Sequence, residues 1–207
     1  MRDAAATLLI ACGALAREIA ALKRVNGWSA LDVRCLPAEL HNRPERIAPA
    51  VRETIHANRA RYANIFVVYG DCGTGGQLDR VLAEEGVERL SGAHCYEFFA
   101  TSQVFAQLAE SEPGTFYLTD FLLRHFERLV VRPLGLDRHP ELRDEYFRHY
   151  KRLVYLSQAE RPGAIEEARR IAGSFGFEFE HRVTGYGELG TRLAELVASQ
   201  DNLAWLA

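Results

Sequence analysis

The sequence predicts an α/β fold, in which a mostly parallel sheet of about six or seven strands is covered by helices on both faces. Short apolar runs alternate with helical patterns along the whole chain, as they do in parallel α/β proteins. The chain has 207 residues, of which 48% are hydrophobic and 26% are charged, and this composition provides a substantial core. We find no internal repeat or linker in the sequence. We therefore expect a single domain, residues 1–207, built as a three-layer sandwich.

The first half of the chain contains four predicted strands and three predicted helices. The strands are short apolar or alternating runs at 7–11, 31–36, 63–69 and 87–90. The helices are predicted at 14–23, 45–61 and 78–85, where apolar residues recur at helical spacing, as Ile47, Val51 and Ile55 do. The run that ends in IFVVY is the most apolar, so we expect it to be a central strand of the sheet.

The second half continues the alternation and ends in a helix. Strands are predicted at 115–118, 152–156 and 177–183, and helices at 96–109, 119–130, 141–149, 162–174 and 188–199. Pro162 fits the first turn of its helix, and Thr119 and Asp120 are placed to cap theirs. The C-terminal tail, which contains Trp205, is predicted to pack on a neighbouring element. Right-handed crossovers would bring every strand-to-helix loop to one edge of the sheet.

Charge and hydropathy argue against two classes of partner. The formal net charge is −3, whereas nucleic acids and anionic membranes favour a clearly basic face. No apolar run reaches the roughly 18 residues that a membrane span needs. The apolar start of the chain is short and is followed by Arg17, Glu18 and Lys23, so it is interpreted as a strand and a helix rather than a signal peptide. We expect a cytoplasmic protein with a small-molecule substrate.

A glycine-rich loop with the sequence GDCGTGG occupies residues 70–76, directly after the predicted central strand. Ligands of parallel α/β proteins bind outside the carboxyl ends of the strands. This loop also contains a thiol, Cys72, and a carboxylate, Asp71. We therefore expect the chemistry of the protein to be located there.

The chain contains four cysteines, Cys12, Cys35, Cys72 and Cys95, and none of them forms a CxxC pair. In a reducing compartment they are not expected to form structural disulfides. Cys35 has the same strand parity as Leu31 and Val33, which predicts a buried core residue. The other three cysteines each come shortly after a predicted strand.

The position of Cys12, Cys72 and Cys95 suggests a metal site. Their three strands are separated in sequence, but the carboxyl ends of those strands share one edge of the sheet. Thiolates are ligands for zinc, which we favour, and for iron or an iron–sulfur cluster. The fourth position would be filled by His94, His41 or a substrate. The alternative, three unrelated reduced cysteines, stays open because the sequence has no compact ligand spacing.

Two other kinds of chemistry fit the same loops. Cys72 could act as a nucleophile activated by His94 or Glu97, and the carboxylates of Asp71, Glu97 and Asp120 are candidates for acid or base catalysis. The backbone of Gly73, Gly75 and Gly76 could bind a phosphate-bearing ligand. No GK[ST] follows these glycines and the GxGxxG spacing is absent, so neither common phosphate motif is present.

Several segments together resemble an uncharacterised prokaryotic family that is known only as a domain of unknown function. The segments, each given with its first position, are CGAL at 12, LPAELHNRP at 36, YGDCGTGG at 69, GAHCYE at 92, EPGTFYLTDFL at 112, LGLDRHPEL at 134, YKRLVYL at 150 and TGYG at 184. The resemblance covers nearly the whole chain. By this resemblance Cys12, Cys72 and Cys95 fall within recurring segments, whereas Cys35 is incidental.

Genes of the resembled family tend to lie beside corrinoid proteins and cobalamin-dependent methyltransferases that act on methylamines or betaines. The resemblance therefore implies a setting in one-carbon metabolism, either as a methyl-transfer enzyme with a zinc–thiolate site or as a non-enzymatic accessory module for a corrinoid methyltransferase system. The chain departs from those methyltransferases, which are usually larger barrels. It also lacks the corrinoid-binding DxHxxG motif.

Overall fold

A computed structural model describes residues 7–204 of the chain, and side chains up to residue 199. Trp205 and the end of the predicted tail lie outside the described residues. The chain divides into two compact units, one formed by Met1–Cys95 with Glu188–Ala207 and the other by Tyr96–Gly187. Each unit has its own sheet.

The first unit is built on a parallel sheet with the strand order β2-β1-β3-β4. Its strands are β1 (Thr7–Cys12), β2 (Leu31–Leu36), β3 (Asn64–Val68) and β4 (Glu88–Arg89). β1 pairs along its whole length with β2 and along most of it with β3, and every residue of β1 is buried. The sheet therefore carries an apolar strand at its centre, as continuous hydrophobic runs in parallel sheets predict.

Four α-helices belong to this sheet. They are α1 (Ala16–Asn26), α2 (Ile47–Asn58), α3 (Gln77–Glu85) and most of α9 (Gly187–Ala204). Ile47, Val51 and Ile55 of α2 are completely buried, as their spacing on one helix face predicts. Gly27 and Gly86 end α1 and α3 in the left-handed conformation, which glycine adopts without a steric penalty.

The second unit contains a parallel sheet in the order β5-β6-β7, made of β5 (Thr115–Thr119), β6 (Arg152–Ser157) and β7 (Glu178–Val183). Its helices are α4 (Glu97–Ala100), α5 (Ser102–Ser111), α6 (Asp120–Arg124), α7 (Leu142–Tyr146) and α8 (Ala164–Phe175). A π-helical turn follows α6 at Glu127–Val131. The central strand β6 is buried from Leu153 onward, and aromatic side chains including Phe116, Phe147 and Phe177 pack beside it.

The parallel α/β class and most predicted elements are confirmed, but one continuous sheet is not. Among the described residues, the seven strands are divided between a sheet of four and a sheet of three. The four-stranded sheet ends at β4, which has only two residues, Glu88 and Arg89, and both are polar. The helix predicted at 96–109 is broken at Thr101, whose φ of 67° and ψ of 148° interrupt the helical backbone. The single-domain assignment stays a prediction.

The prediction that Cys35 is a core residue is wrong, because its side chain is exposed. β2 lies at the edge of its sheet and pairs only with β1 among the described strands. Its burial pattern shows that only Leu31 is fully covered. The parity argument could not show that this end of the strand is left uncovered. No described helix is both long enough and apolar enough to cross a membrane.

Candidate functional site

Three of the four cysteines meet at the carboxyl edge of the first sheet. Cys12 is the last residue of β1 and is 5% exposed, while Cys72 lies in the loop after β3 and is 4% exposed. Cys95 follows β4 and is half-buried. The Sγ atoms of Cys72 and Cys95 are 3.5 Å apart, and the Cys95 thiol is hydrogen-bonded to Cys12 as well. Residues separated by more than 80 positions thus form one cluster of sulfur atoms, and the sequence-based expectation that they converge is confirmed.

Backbone hydrogen bonds join the loops that carry Cys72 and Cys95. The N–H of Asp71 donates to the carbonyl of Gly92 at 2.9 Å, and the N–H of Cys72 donates to that of Ala93 at 2.7 Å. Gly70 allows this approach, because a Cβ at its position would lie 2.8 Å from the backbone of His94, closer than any real Cβ contact. Glycine at position 70 is therefore needed to place Cys72 against the second loop.

The backbone of Cys72 is strained. Its φ is 48°, and apart from Thr101 it is the only non-glycine residue with a positive φ among residues 7–204. A left-handed conformation at a residue with a side chain costs of order 1–3 kcal/mol and persists only where the surrounding structure enforces it. Such strain is concentrated at functional sites, so it adds weight to Cys72 as the centre of this one.

The glycine-rich loop binds an anion of its own. The Asp71 carboxylate accepts hydrogen bonds from the Thr74 hydroxyl at 2.6 Å, from the N–H of Gly76 at 2.9 Å and from that of Gly75 at 3.2 Å. The bond from Thr74, with help from these N–H groups, lowers the pKa of Asp71. Gly73, Gly75 and Gly76 all have positive φ, which explains the choice of glycine. The N–H groups of Gly75 and Gly76, which were predicted to bind phosphate, thus donate to Asp71 and hold the shape of the loop. The catalytic role of Asp71 stays a prediction.

The three sulfur atoms differ in their affinity for a proton. Hydrogen bonding from Cys95 is the main reason that the pKa values of Cys72 and Cys12 lie below the usual thiol range. His41 and His94 lower the pKa of Cys72 further, and the N–H of Ala14 does the same for Cys12. The pKa of Cys95 is raised well above its usual value by its bonds to those two sulfur atoms and by burial. The cluster therefore favours two thiolates and one thiol, and thiolate is the form that binds metals and attacks electrophiles.

Both histidines proposed as a fourth ligand lie at Cys72. His41 is located in a 3₁₀ helix, Ala38–Asn42, and is hydrogen-bonded to the Cys72 sulfur, which raises the pKa of His41. The residue as a whole is exposed at the surface of the unit. His94 is half-buried and is also hydrogen-bonded to Cys72. The geometry thus brings together all of the predicted ligands.

Two residues that the sequence did not single out complete the surroundings of the cluster. Tyr69 follows β3 and is 1% exposed, with its hydroxyl beside Cys12. Arg89 of β4 donates from Nη1 to the carbonyl of Leu90 at 2.7 Å and to those of Tyr69 and Gly92 at 3.3 Å, while Asp79 binds its Nε. Tyr69 ends the most apolar run, so its pattern predicted only a core residue. Arg89 sits in a short polar strand that gave no signal of its own.

The cluster is not a preformed metal cage. Among residues 7–204, no group of three or more Cys, His, Asp or Glu side chains already has the arrangement of a metal site. The distance between the sulfur atoms of Cys72 and Cys95 is 3.5 Å, far longer than a disulfide bond of about 2.05 Å. Two thiolates bound to one tetrahedral zinc at about 2.3 Å each are roughly 3.8 Å apart. Thiolate and imidazole are donors that zinc accepts. The sulfur atoms of Cys72 and Cys95 would need to move apart only slightly to bind one zinc ion together.

The other two predicted catalytic carboxylates belong to the second unit. Glu97 lies in the first turn of α4 and is half-buried. Asp120 is 3% exposed and opens α6, where Oδ1 accepts from the Tyr155 hydroxyl at 2.6 Å and Oδ2 accepts from the N–H of Ala159 at 3.0 Å. The N–H of Asp120 donates to Gln158 at 2.9 Å. These bonds connect the ends of β5 and β6. The catalytic role of Asp120 stays a prediction.

Two surface grooves of the first unit lie away from the cysteines. One has a volume of about 560 Å³ and is formed between α2 and α3, with Arg52 and His56 in its wall. The other, of about 660 Å³, lies beside α1 and includes Trp28. Neither is lined by a cysteine. Both belong to the helical exterior of the unit rather than to the edge of the sheet where the sulfur atoms meet.

Comparison with known proteins identifies the family of the chain but no described activity. Residues 35–193 match the family described as "Protein of unknown function (DUF1638)". The chain belongs to this family, as the resemblance to a domain of unknown function led us to expect. The matched range contains Cys72, Cys95 and the two candidate ligands His41 and His94, whereas Cys12 precedes it. Neither the curated proteins nor the solved structures contain a significant match.

Proposed function

We propose that this member of the DUF1638 family is a metalloprotein that binds one metal ion through Cys12, Cys72 and Cys95. The observation that carries the proposal is the convergence of these sulfur atoms from three strand ends, with Cys72 and Cys95 only 3.5 Å apart. Chance placement of reduced cysteines in a core does not require them to share one edge of a sheet. It also does not require a strained backbone at Cys72.

Zinc suits this set of donors best. Three thiolates with a nitrogen ligand form a tetrahedral zinc site, and three thiolates with an exchangeable fourth ligand leave a position for a substrate. His41 and His94 are the candidates for the nitrogen ligand because both are hydrogen-bonded to Cys72. Iron, or an iron–sulfur cluster, is the second choice for the same sulfur ligands.

We further propose that the protein is an enzyme of one-carbon metabolism linked to methylamines or betaines. Zinc bound by thiolates can hold a substrate thiol as a nucleophile for methyl transfer, which matches the residues at the site. The setting itself rests on the resemblance stated from the sequence. The alternative is a cytoplasmic accessory module that binds a corrinoid protein or its methyltransferase and has no turnover of its own.

A second candidate function is thiol chemistry without a metal. The observation in its favour is the lowered pKa of Cys72, with the Cys95 thiol in contact and His41 beside it. A thiolate beside a histidine is the arrangement of a nucleophilic cysteine. This candidate needs Cys72 and Cys95 but gives no role to Cys12, whereas the metal site uses all three sulfur atoms.

Anaerobic purification followed by elemental analysis and an absorption spectrum tests the main proposal. We expect about one metal ion per chain, colourless if zinc and coloured if an iron–sulfur cluster is bound. The triple variant with Cys12→Ser, Cys72→Ser and Cys95→Ser is expected to contain none. Cys35→Ser is the matched control, because this cysteine is exposed and should leave the metal content unchanged. A triple variant with the metal content of the natural chain contradicts the proposal.

Enzyme and accessory module are distinguished by a binding experiment. The accessory module is expected to form a stable complex with a corrinoid protein and to change the absorption spectrum of its cobalamin. An enzyme is expected to turn over a methylated amine or thiol without a tight complex. Absence of both co-purification and a spectral change argues against the module.

A further inference from the structure

Tyr69 has an unusual buried hydroxyl. The residue is 1% exposed, and its Oη atom makes no well-formed hydrogen bond with any part of the chain that the structure describes. Buried polar atoms in native proteins almost always have a partner, because an unpaired one loses its contacts with water without compensation. A phenylalanine would fill the same space in the core without this cost. The hydroxyl therefore needs an explanation beyond packing.

The hydroxyl of Tyr69 faces the cysteine cluster. Ala11 of β1 pairs with Val68 of β3. The residues that follow them, Cys12 and Tyr69, are therefore neighbours at this edge of the sheet. Burial is the main cause that raises the pKa of Tyr69. The Cys12 sulfur is a neighbour of this hydroxyl, but the two atoms do not have the geometry of a formed hydrogen bond. Tyr69 thus places a buried hydroxyl, which forms no hydrogen bond within the described residues, next to the cysteine cluster.

We infer that Tyr69 donates a hydrogen bond to a small anionic ligand, such as hydroxide, an alkoxide or a thiolate, that occupies the fourth position of the three-cysteine metal site. This inference rests on the proposed metal site and specifies what binds there. A hydroxyl directed into a metal site is suited to hold the exchangeable ligand, since outer hydrogen bonds orient the groups around a metal.

The close packing of the loops limits the size of that ligand. A Cβ at Gly70 would lie 2.8 Å from the backbone of His94, and one at Gly13 would lie 2.8 Å from the carbonyl oxygen of Leu36. Cys12 and Cys72 are themselves at most 5% exposed. A ligand that reaches the sulfur atoms and Tyr69 must therefore present a small donor group.

The charge of the complete site is acceptable for zinc. Three thiolates, one divalent ion and one anionic ligand carry the same net charge as a zinc ion bound by four cysteines, which is a common structural site. Tyr69 would stabilise the fourth ligand as a donor of a hydrogen bond, without adding charge.

Azide binding to the cobalt(II)-substituted protein tests the inference. Cobalt(II) in a thiolate site absorbs visible light, so azide bound at the fourth position changes the spectrum. We expect Tyr69→Phe to keep its cobalt but to bind azide at least about tenfold more weakly, the loss expected of one hydrogen bond to a charged group. Tyr62→Phe is the matched control, because Tyr62 bonds to Asp32 at the surface and should not affect azide affinity.

The outcomes separate this inference from the proposed function. Failure of cobalt to bind to the natural chain overturns both. Unchanged azide affinity in a cobalt-loaded Tyr69→Phe protein overturns the inference alone. The metal-free Tyr69→Phe protein is expected to unfold at the same or a higher temperature than the natural chain. Removal of the hydroxyl breaks no formed hydrogen bond and leaves no buried group unpaired.

A measurement on the natural sequence does not depend on how the variant folds. In protein labelled with 3-fluorotyrosine, cobalt(II) shifts most strongly the fluorine resonance of the nearest tyrosine, which we expect to be Tyr69. Addition of azide should then move that resonance further. A cobalt-shifted resonance that does not respond to bound azide would contradict the inference.

Discussion

The carboxyl edges of the two sheets contain similar side chains in opposite situations. Each has a fully buried tyrosine near a strand end, Tyr69 in the first unit and Tyr155 in the second. The Tyr155 hydroxyl donates to Asp120 at 2.6 Å, whereas the Tyr69 hydroxyl has no such partner within residues 7–204. The second edge pairs these polar groups with each other, whereas the first places an unpaired hydroxyl beside the three-cysteine cluster.

This difference shows how position alone is insufficient to identify a site. Both edges are places where α/β proteins bind ligands, but the hydrogen bonds around Asp120 join two strand ends and leave neither carboxylate oxygen uncommitted. At the first edge, Cys12, Cys72 and Cys95 perturb one another's pKa values. Neighbouring ionisable groups that shift one another's pKa values in this way are typical of functional sites.

The largest expected effect is the loss of metal at the first edge. Cys72→Ser should reduce metal affinity by more than about 100-fold, because even partners outside the ligand shell contribute 10–100-fold. Competition with a coloured chelator measures this change. Asp120→Asn should leave the affinity unaltered, and an equal loss in both variants would remove the distinction between the two edges.

Asp120→Ala should destabilise the protein by about 3 kcal/mol, since it leaves the Tyr155 hydroxyl and the Ala159 N–H buried without an acceptor. Urea unfolding of the metal-free protein measures the change. Tyr155→Phe removes one of these bonds and should cost about 2 kcal/mol, as hydrogen bonds to charged groups do. A Tyr69→Phe variant that is destabilised as strongly as Tyr155→Phe would show that the two tyrosines have the same role.

Asp71→Ala should have an intermediate effect of about 1–2 kcal/mol, comparable to the loss of a helix cap. It removes the acceptor for Thr74 and for two backbone N–H groups of the glycine-rich loop. We expect weaker metal binding as well, because the loop positions Cys72. Urea unfolding and chelator competition on the same sample test both expectations. Full metal affinity in a destabilised variant would show that the loop and the cysteine site are independent.

The smallest expected effect is the pH dependence of the ion pair between Asp79 and Arg89. Arg89 lowers the pKa of Asp79 below its ordinary value of 3.8. The stabilisation is therefore complete above that value and is lost as the pH falls through the lower pKa of the folded state. It should stay below about 1 kcal/mol because the carboxylate is largely exposed. The stability difference between the natural chain and Asp79→Asn should be larger at pH 6 than at pH 3, and an equal difference at both would contradict it.

The sequence predicted the elements and the meeting of the cysteines well. Strands such as β2 and β6, and the helix that contains Ile47, Val51 and Ile55, follow directly from apolar periodicity. The convergence of Cys12, Cys72 and Cys95 followed from one rule, that parallel strands place their carboxyl ends together. Neither inference needed long-range information beyond the order of strands and helices.

The features that were missed depend on contacts that periodicity does not encode. The division into two sheets is not encoded by periodicity, and β4, the last strand of the first sheet, has only two residues and carried little apolar signal. The exposure of Cys35 depends on whether the edge strand is covered. The hydrogen bonds of Asp71 depend on the conformation of its own loop, because the carboxylate accepts from groups only three to five residues further along the chain. The significance of Tyr69 lies in a missing partner, which no local pattern can show.

The hydrogen bonds that join the loops of Cys72 and Cys95 also determine whether the segment between them becomes ordered during folding or during metal binding. The two cysteines are 23 positions apart. The N–H groups of Asp71 and Cys72 donate to Gly92 and Ala93 and so hold the two ends of the intervening segment together before any metal binds. The entropy of closing that segment is therefore lost during folding and not during metal uptake. Unlike small zinc domains that fold only around their ion, this unit should load metal rapidly and with little change in its circular dichroism. Substitutions at Gly70 or Gly92 could then slow or weaken loading without touching a ligand.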